Sequence, residues 1–153
     1  MKKFIARDAP EADPRQRGQA ILIGVKFAAK RISSIPDAIA PDGSEVRVLC
    51  QLPRGSLALF SLPPNAVSKA VAHRTVEEVS YVTSGCGRMW RKLGDDEEII
   101  ELGIGVSLTI PTGTYFQFRC DGPEPLNAIG ATMPPWPGQG EAYGVEGAWE
   151  AKV

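Results

Sequence analysis

The chain has 153 residues, 43% of them hydrophobic and 23% charged, with a formal net charge of −1. That is enough for one domain with its own core, and it gives no electrostatic pull toward nucleic acid or an anionic membrane. No run reaches the ~20 apolar residues of a membrane-spanning helix, and in the opening "MKKFIARDAPEAD" Arg7 and Asp8 end the apolar run too early for a signal peptide.

Residues 1–34 read as an N-terminal extension. Within it "DAPEADPRQRG" (8–18) is polar, carries two prolines and is expected to be loosely held. "QAILIGVKFAAKRI" (19–32) fits a buried strand or a short helix, and its periodicity does not choose between them. "APDG" (40–43) is a turn that opens a β-rich region running from 35 to 133. There the expected strands are 45–49, 56–62, 68–73, 76–84, 87–92, 97–102, 106–110, 114–120 and 125–132. Turn compositions separate them, such as "LPRG", "LPPN", "SGCG", "LGDD", "LGIG" and "DGPEP". Short strands at even spacing imply an all-β sandwich or barrel. The last segment, 134–153, is rich in Pro and Gly and is expected to lie across the barrel as an extended tail anchored by Trp136 and Trp149. Cys50, Cys86 and Cys120 are odd in number and widely spaced, so they fit neither a zinc knuckle nor a disulfide framework. Reduced thiols in a cytoplasmic protein are the expectation.

Two spaced motifs stand out. Asn65 is followed by five residues and Val71, one and His73, four and Glu78, then six and Gly85. Gly105 is followed by five residues and Pro111, one and Gly113, two and Phe116, three and Cys120. These spacings resemble the two motifs of the cupin superfamily, and the resemblance covers about residues 40–132. "HRTVEEVSYVTSGCGRMW", "IPTGTYFQF" and "TMPPWPG" are also similar to a group of small bacterial single-domain cupins. The resemblance implies a single antiparallel jelly-roll β-barrel and a metal held by three histidines and a glutamate. Carried over by position, Val71 and Phe116 stand where two of the histidines would be, while His73 and Glu78 keep their places. Two of the four ligand positions therefore survive, and the implied cofactor is none or a single divalent transition metal. The resemblance also implies a homodimer, with residues 20–29 as the element packed or exchanged across the interface.

Side chains alternate along a strand, so Val71 and His73 share one face, as do Phe116, Phe118 and Cys120. With those faces inward, His73 and Glu78 meet an apolar lumen. An unpaired carboxylate there costs several kcal/mol, so Glu78 is expected to be paired, protonated or wet, with His73 its obvious partner. The pair has three readings: a ligand-orienting hydrogen-bonded pair, a catalytic acid–base pair, or a reduced metal site with Cys120 as third ligand. Val71, Tyr81, Trp90, Phe116, Phe118 and Cys120 are the other expected lumen residues, whereas Arg74 and Arg119 fall on outward positions. Three functions follow. The first is a barrel binding a small organic molecule in its lumen without the full metal site. The second is an isomerase, lyase or metal-dependent oxygenase using His73 and Glu78. The third is a structural protein whose barrel Phe116 and Phe118 fill.

Overall fold

The computed structural model describes residues 26–153. Eleven strands run in chain order: β1 (Ala38–Ile39), β2 (Glu45–Leu52), β3 (Gly55–Leu62), β4 (Val71–His73), β5 (Glu77–Ser84), β6 (Gly87–Leu93), β7 (Asp96–Leu102), β8 (Ser107–Ile110), β9 (Tyr115–Cys120), β10 (Leu126–Met133) and β11 (Ala142–Gly144). They form two antiparallel sheets, ordered β1-β2-β3-β10-β5-β8 and β11-β4-β9-β6-β7. The chain is a single antiparallel jelly-roll barrel, and all nine expected strands are present within a few residues of their expected ends.

Alternation decides which side chains enter the core. On β5, Glu78, Ser80 and Val82 are buried while Glu77, Val79 and Tyr81 are exposed. Leu62, Val71, Val82, Met89, Leu102, Leu108, Ile110, Phe116, Cys120 and Leu126 pack as one cluster between the sheets. The turns that set these registers need left-handed backbone. Gly85 sits at φ +78°, where a Cβ would run into the Pro125 carbonyl, so glycine is required there. Asn65, the one non-glycine with positive φ among the described residues, takes φ 61°, which Asn tolerates better than most side chains.

Two segments depart from expectation. Residues 26–32 form neither helix nor strand, and they are exposed rather than buried, Phe27 fully so. The rest of the 19–32 question and the expected loose segment 8–18 lie outside the described residues. The C-terminal segment does more than lie on the barrel: β11 pairs with β4 (Tyr143 opposite Ala72) and becomes an edge of the second sheet. Beyond it, Gln117 is buried on the outer face of β9. Its Nε2 donates to the carbonyls of Ser68 and Trp149 (2.8 Å each), and its Oε1 accepts from the Trp149 N–H at 3.0 Å. Among the described residues no helix is long and apolar enough to cross a membrane.

Candidate functional site

Between the sheets lies a cavity of about 270 Å³. Its wall is mostly apolar, including Phe60, Leu62, Val71, Phe116, Phe118 and Trp136, with His73, Glu78, Asp42, Ser44, Ser80 and Thr132 as polar interruptions. Phe116 and Phe118 line this space rather than filling it, contrary to the filled-barrel expectation.

His73 ends β4 and is 4% exposed. Its ring meets Phe116 edge-on at 5.0 Å and Trp136 at 5.3 Å. Its Nδ1 is buried without a hydrogen-bond partner. Burial holds its pKa down at about 4, opposed by the carboxylate of Glu141. His73 is therefore a neutral imidazole at neutral pH.

Glu78 does not partner His73. Among the described residues neither a hydrogen bond nor an ion pair joins them; Glu78 Oε1 instead accepts from Ser80 Oγ, two residues along the same face. Its carboxyl lies over Gly130 of β10, where a Cβ would come within 2.6 Å of Oε1 and 2.8 Å of the Phe60 ring. Burial pushes its pKa up to about 7; the Ser80 bond pulls the other way, and the charge of Asp42 adds to the rise. Of the two expected partners in proton transfer, the carboxyl is the one poised near neutrality, not the imidazole.

Sequence reasoning missed Asp42. It sits in the "APDG" turn, where an acidic residue reads as solvated, yet it is 7% exposed and lines the cavity. Its Oδ1 accepts from the Ser44 N–H at 2.9 Å and the Ser44 hydroxyl at 2.7 Å, an Asx turn folded inward. Burial raises its pKa, against the lowering effect of those two bonds and of Lys69. Glu141 was missed as well. Its carboxylate accepts from the N–H groups of Thr75 (2.6 Å) and Val76 (2.8 Å) and from the Thr75 hydroxyl, tying the C-terminal segment to the turn after β4. Burial raises its pKa, but these bonds and His73 outweigh that and leave it lowered.

Three expected lumen residues are elsewhere. Tyr81, an odd number of positions from Glu78, falls on the outer face of β5 and is 48% exposed. Trp90 is buried, but next to inward Met89 it points the other way, and its Nε1 donates to Glu97 at 2.7 Å. Cys120 shares the inward face of β9 but packs in the core beyond the cavity, its thiol donating to the Glu124 carbonyl at 3.1 Å. It does not line the cavity with His73 and Glu78, and it joins no cluster with them among the described residues. Among the described residues no cluster of three or more His, Cys, Asp or Glu side chains has metal-binding geometry. Arg74 is outside, over the Tyr143 ring at 4.6 Å, and Arg119 pairs with Asp121 at 2.7 Å.

No protein-family model matches the chain, and no curated protein matches it. Solved structures do. The capsular polysaccharide assembling protein CapF from Staphylococcus aureus matches with 23% identity and a TM-score of 0.56 over 67% of this chain, which spans only 30% of CapF. Oxalate decarboxylase from Bacillus subtilis matches at 18% identity and 0.60 over 70% of this chain and 29% of its own. A variant of Streptomyces PAC13 solved with uridine matches at 14% identity and 0.61, over 80% of this chain and 92% of its own. At such identities these likenesses establish the fold and leave each neighbour's chemistry its own.

Proposed function

We propose, for a chain that has the cupin jelly-roll fold, that the barrel binds a small organic molecule in its lumen, oriented by His73 and Glu78 and without the full metal site of such barrels. The observation that carries this reading is the cavity itself: about 270 Å³ of space, a predominantly apolar wall, and three buried ionisable side chains converging on it. A structural barrel would have closed over that volume, because voids forfeit packing energy.

The donor set argues against a tightly held metal. Two protein ligands fall short of the three that a catalytic site uses. A ligating histidine also normally donates its second ring nitrogen to an outer partner, whereas His73 Nδ1 has none. Elemental mass spectrometry on untagged protein purified without chelators tests this. A ratio near zero after incubation with excess zinc, iron or manganese is expected, and a ratio near one per chain would overturn it.

The binding reading is tested by filling the lumen. Ala128 of β10 lines the cavity, and Ala128→Leu adds three carbons there. A fragment library screened by ligand-observed NMR should yield binders to the native protein that lose at least tenfold affinity with Ala128→Leu, whose thermal stability holds. Binders unaffected by the substitution would point to another surface.

One observation favours a second reading, an isomerase or lyase that moves a proton: the Glu78 pKa of about 7 suits a general acid–base. In that case Glu78 takes the role and His73 only positions the substrate. As macromolecular partner we keep a second copy of the chain, a reading supported by the exposure of Phe27, Ile32, Ile35, Val48 and Leu52 beside the β1 edge. A monomeric mass by light scattering at micromolar concentration would remove it.

A further inference from the structure

We propose that the lumen selects a small organic cation, a compact apolar body carrying one protonated amine whose ammonium sits between Asp42 and Glu78. The inference rests on the lumen-binding reading and adds a charge preference to it.

Two carboxyl side chains line the cavity, each 7% exposed, and among the described residues no Lys or Arg does. Five basic side chains form ion pairs elsewhere: Arg47 with Glu45, Arg88 and Arg119 with Asp121, Arg91 with Glu98, Lys92 with Glu97. The charge of Lys69 bears on Asp42, but its side chain is exposed and makes no ion pair with it among the described residues. Buried carboxyl groups are ordinarily matched by a cation or by several donors. Here Ser44 donates twice to Asp42 Oδ1, and Ser80 donates to Glu78 Oε1. Asp42 Oδ2 and Glu78 Oε2 have no hydrogen-bond donor among the described residues.

A second observation points the same way. His73, 96% buried by its 4% exposure, lines the same cavity and has an Nδ1 with no partner. The wall therefore holds unmatched polar capacity from three elements: the turn before β2, the end of β4, and β5. An ammonium group brings three donors and a positive charge to that set. The wall also carries the rings of Phe60, Phe116, Phe118 and Trp136, and aromatic rings attract a cation over their faces and give an apolar body area to pack on. An anion would meet two carboxyl groups and, among the described residues, no counter-ion, which is how a site rejects a ligand class. At roughly 30 Å³ per non-hydrogen atom of water size, about nine atoms fit the volume.

The test is calorimetric titration of the full chain at pH 7.5 with 2-phenylethylamine, 2-phenylethanol and phenylacetate, which share a ring and differ in charge. The amine should bind at least tenfold more tightly than the alcohol, and phenylacetate should not bind. Glu78→Gln, an isosteric change, and the double change with Asp42→Asn should erase the preference for amine over alcohol while alcohol affinity stays within threefold. Because the wild-type series alone carries the comparison, a variant that fails to fold leaves the test intact. Phenylacetate or the alcohol binding as tightly as the amine, with Ala128→Leu abolishing both, would refute the charge preference and keep the lumen reading. Binding by none of the three would refute both.

Discussion

Glu78→Gln should change how stability depends on pH, and the size of the change follows from burial. In the folded protein Glu78 holds its proton up to about pH 7, against an ordinary value of 4.5. Between those values the folded state binds a proton that the unfolded chain has lost, so stability falls as pH rises from 4.5 to about 7 and is level above. The displacement corresponds to about 3 kcal/mol at roughly 1.4 kcal/mol per pH unit. His73 acts in the opposite sense. Its folded pKa of about 4, against 6.5, means that the unfolded chain takes the proton first, so stability is lost as pH falls from 6.5 to about 4. Between pH 4.5 and 6.5 the two slopes nearly cancel, and the wild-type profile from these groups is flat. The glutamine amide mimics the protonated acid and still accepts from Ser80, so the variant shows the histidine slope alone. Urea unfolding of both proteins at pH 4.5, 5.5, 6.5 and 8 measures this. The variant should gain about 3 kcal/mol on the wild type between the lowest and highest pH. A difference constant within about 0.5 kcal/mol would mean that Glu78 is ionised and solvated in the folded protein, and the account of the cavity would fail with it.

Gly130→Ala would put a Cβ 2.6 Å from Glu78 Oε1 and 2.8 Å from Phe60. It should cost about 1–3 kcal/mol by thermal or urea unfolding and displace the carboxyl from the lumen, so that any cavity ligand binds less tightly. Wild-type stability and affinity would show that this glycine makes no room for Glu78. Gln117→Leu removes both donor and acceptor from the outer face of β9, leaving the Ser68 carbonyl and the Trp149 backbone groups unmatched. About 2 kcal/mol of destabilisation is expected, with limited proteolysis cutting the 145–150 segment faster than in wild type. Unchanged cleavage would show that the segment is held by β11 alone.

The barrel was legible because its information is local. Turn residues at fixed intervals mark where strands stop, and alternation within strands such as "EEVSYVTS" says which side chains go inward. The two strands not foreseen are short, β1 with two residues and β11 with three. "AYG" has no strand pattern of its own, and pairing with β4 makes it a strand. The same distinction separates the site residues. Val71, His73, Glu78 and Phe116 follow from the motif spacing and Phe118 from its parity with Phe116, and all five line the cavity, whereas Cys120, of the same parity, packs beyond it. Tyr81 and Trp90 were chosen for being aromatic, against the parity of their neighbours Ser80 and Met89, and both point away. Asp42 and Glu141 lie in turns, where sequence carries no parity, and only tertiary folding shows that one faces the lumen and the other caps Thr75 and Val76.

Turn geometry and lumen chemistry vary independently in this molecule, and the reason is energetic. Asn65, Gly85, Gly105 and Gly113 all keep left-handed backbone, so the register of the strands they join does not depend on what Val71 or Phe116 present to the interior. Replacing a polar lumen group by valine or phenylalanine adds apolar contact to a barrel whose hydrogen bonds are already made between strands, and such a change is tolerated. Removing the partners of a carboxyl is not tolerated in the same way, because the group left behind stays buried. Glu78 meets that constraint by four means at once: Ser80 donates to one oxygen, Gly130 leaves room beside it, its pKa rises to about 7, and the second oxygen faces a space large enough for a ligand. A buried acid kept under those terms, where valine or phenylalanine would pack more favourably, is the part of this barrel whose chemistry the fold alone does not require.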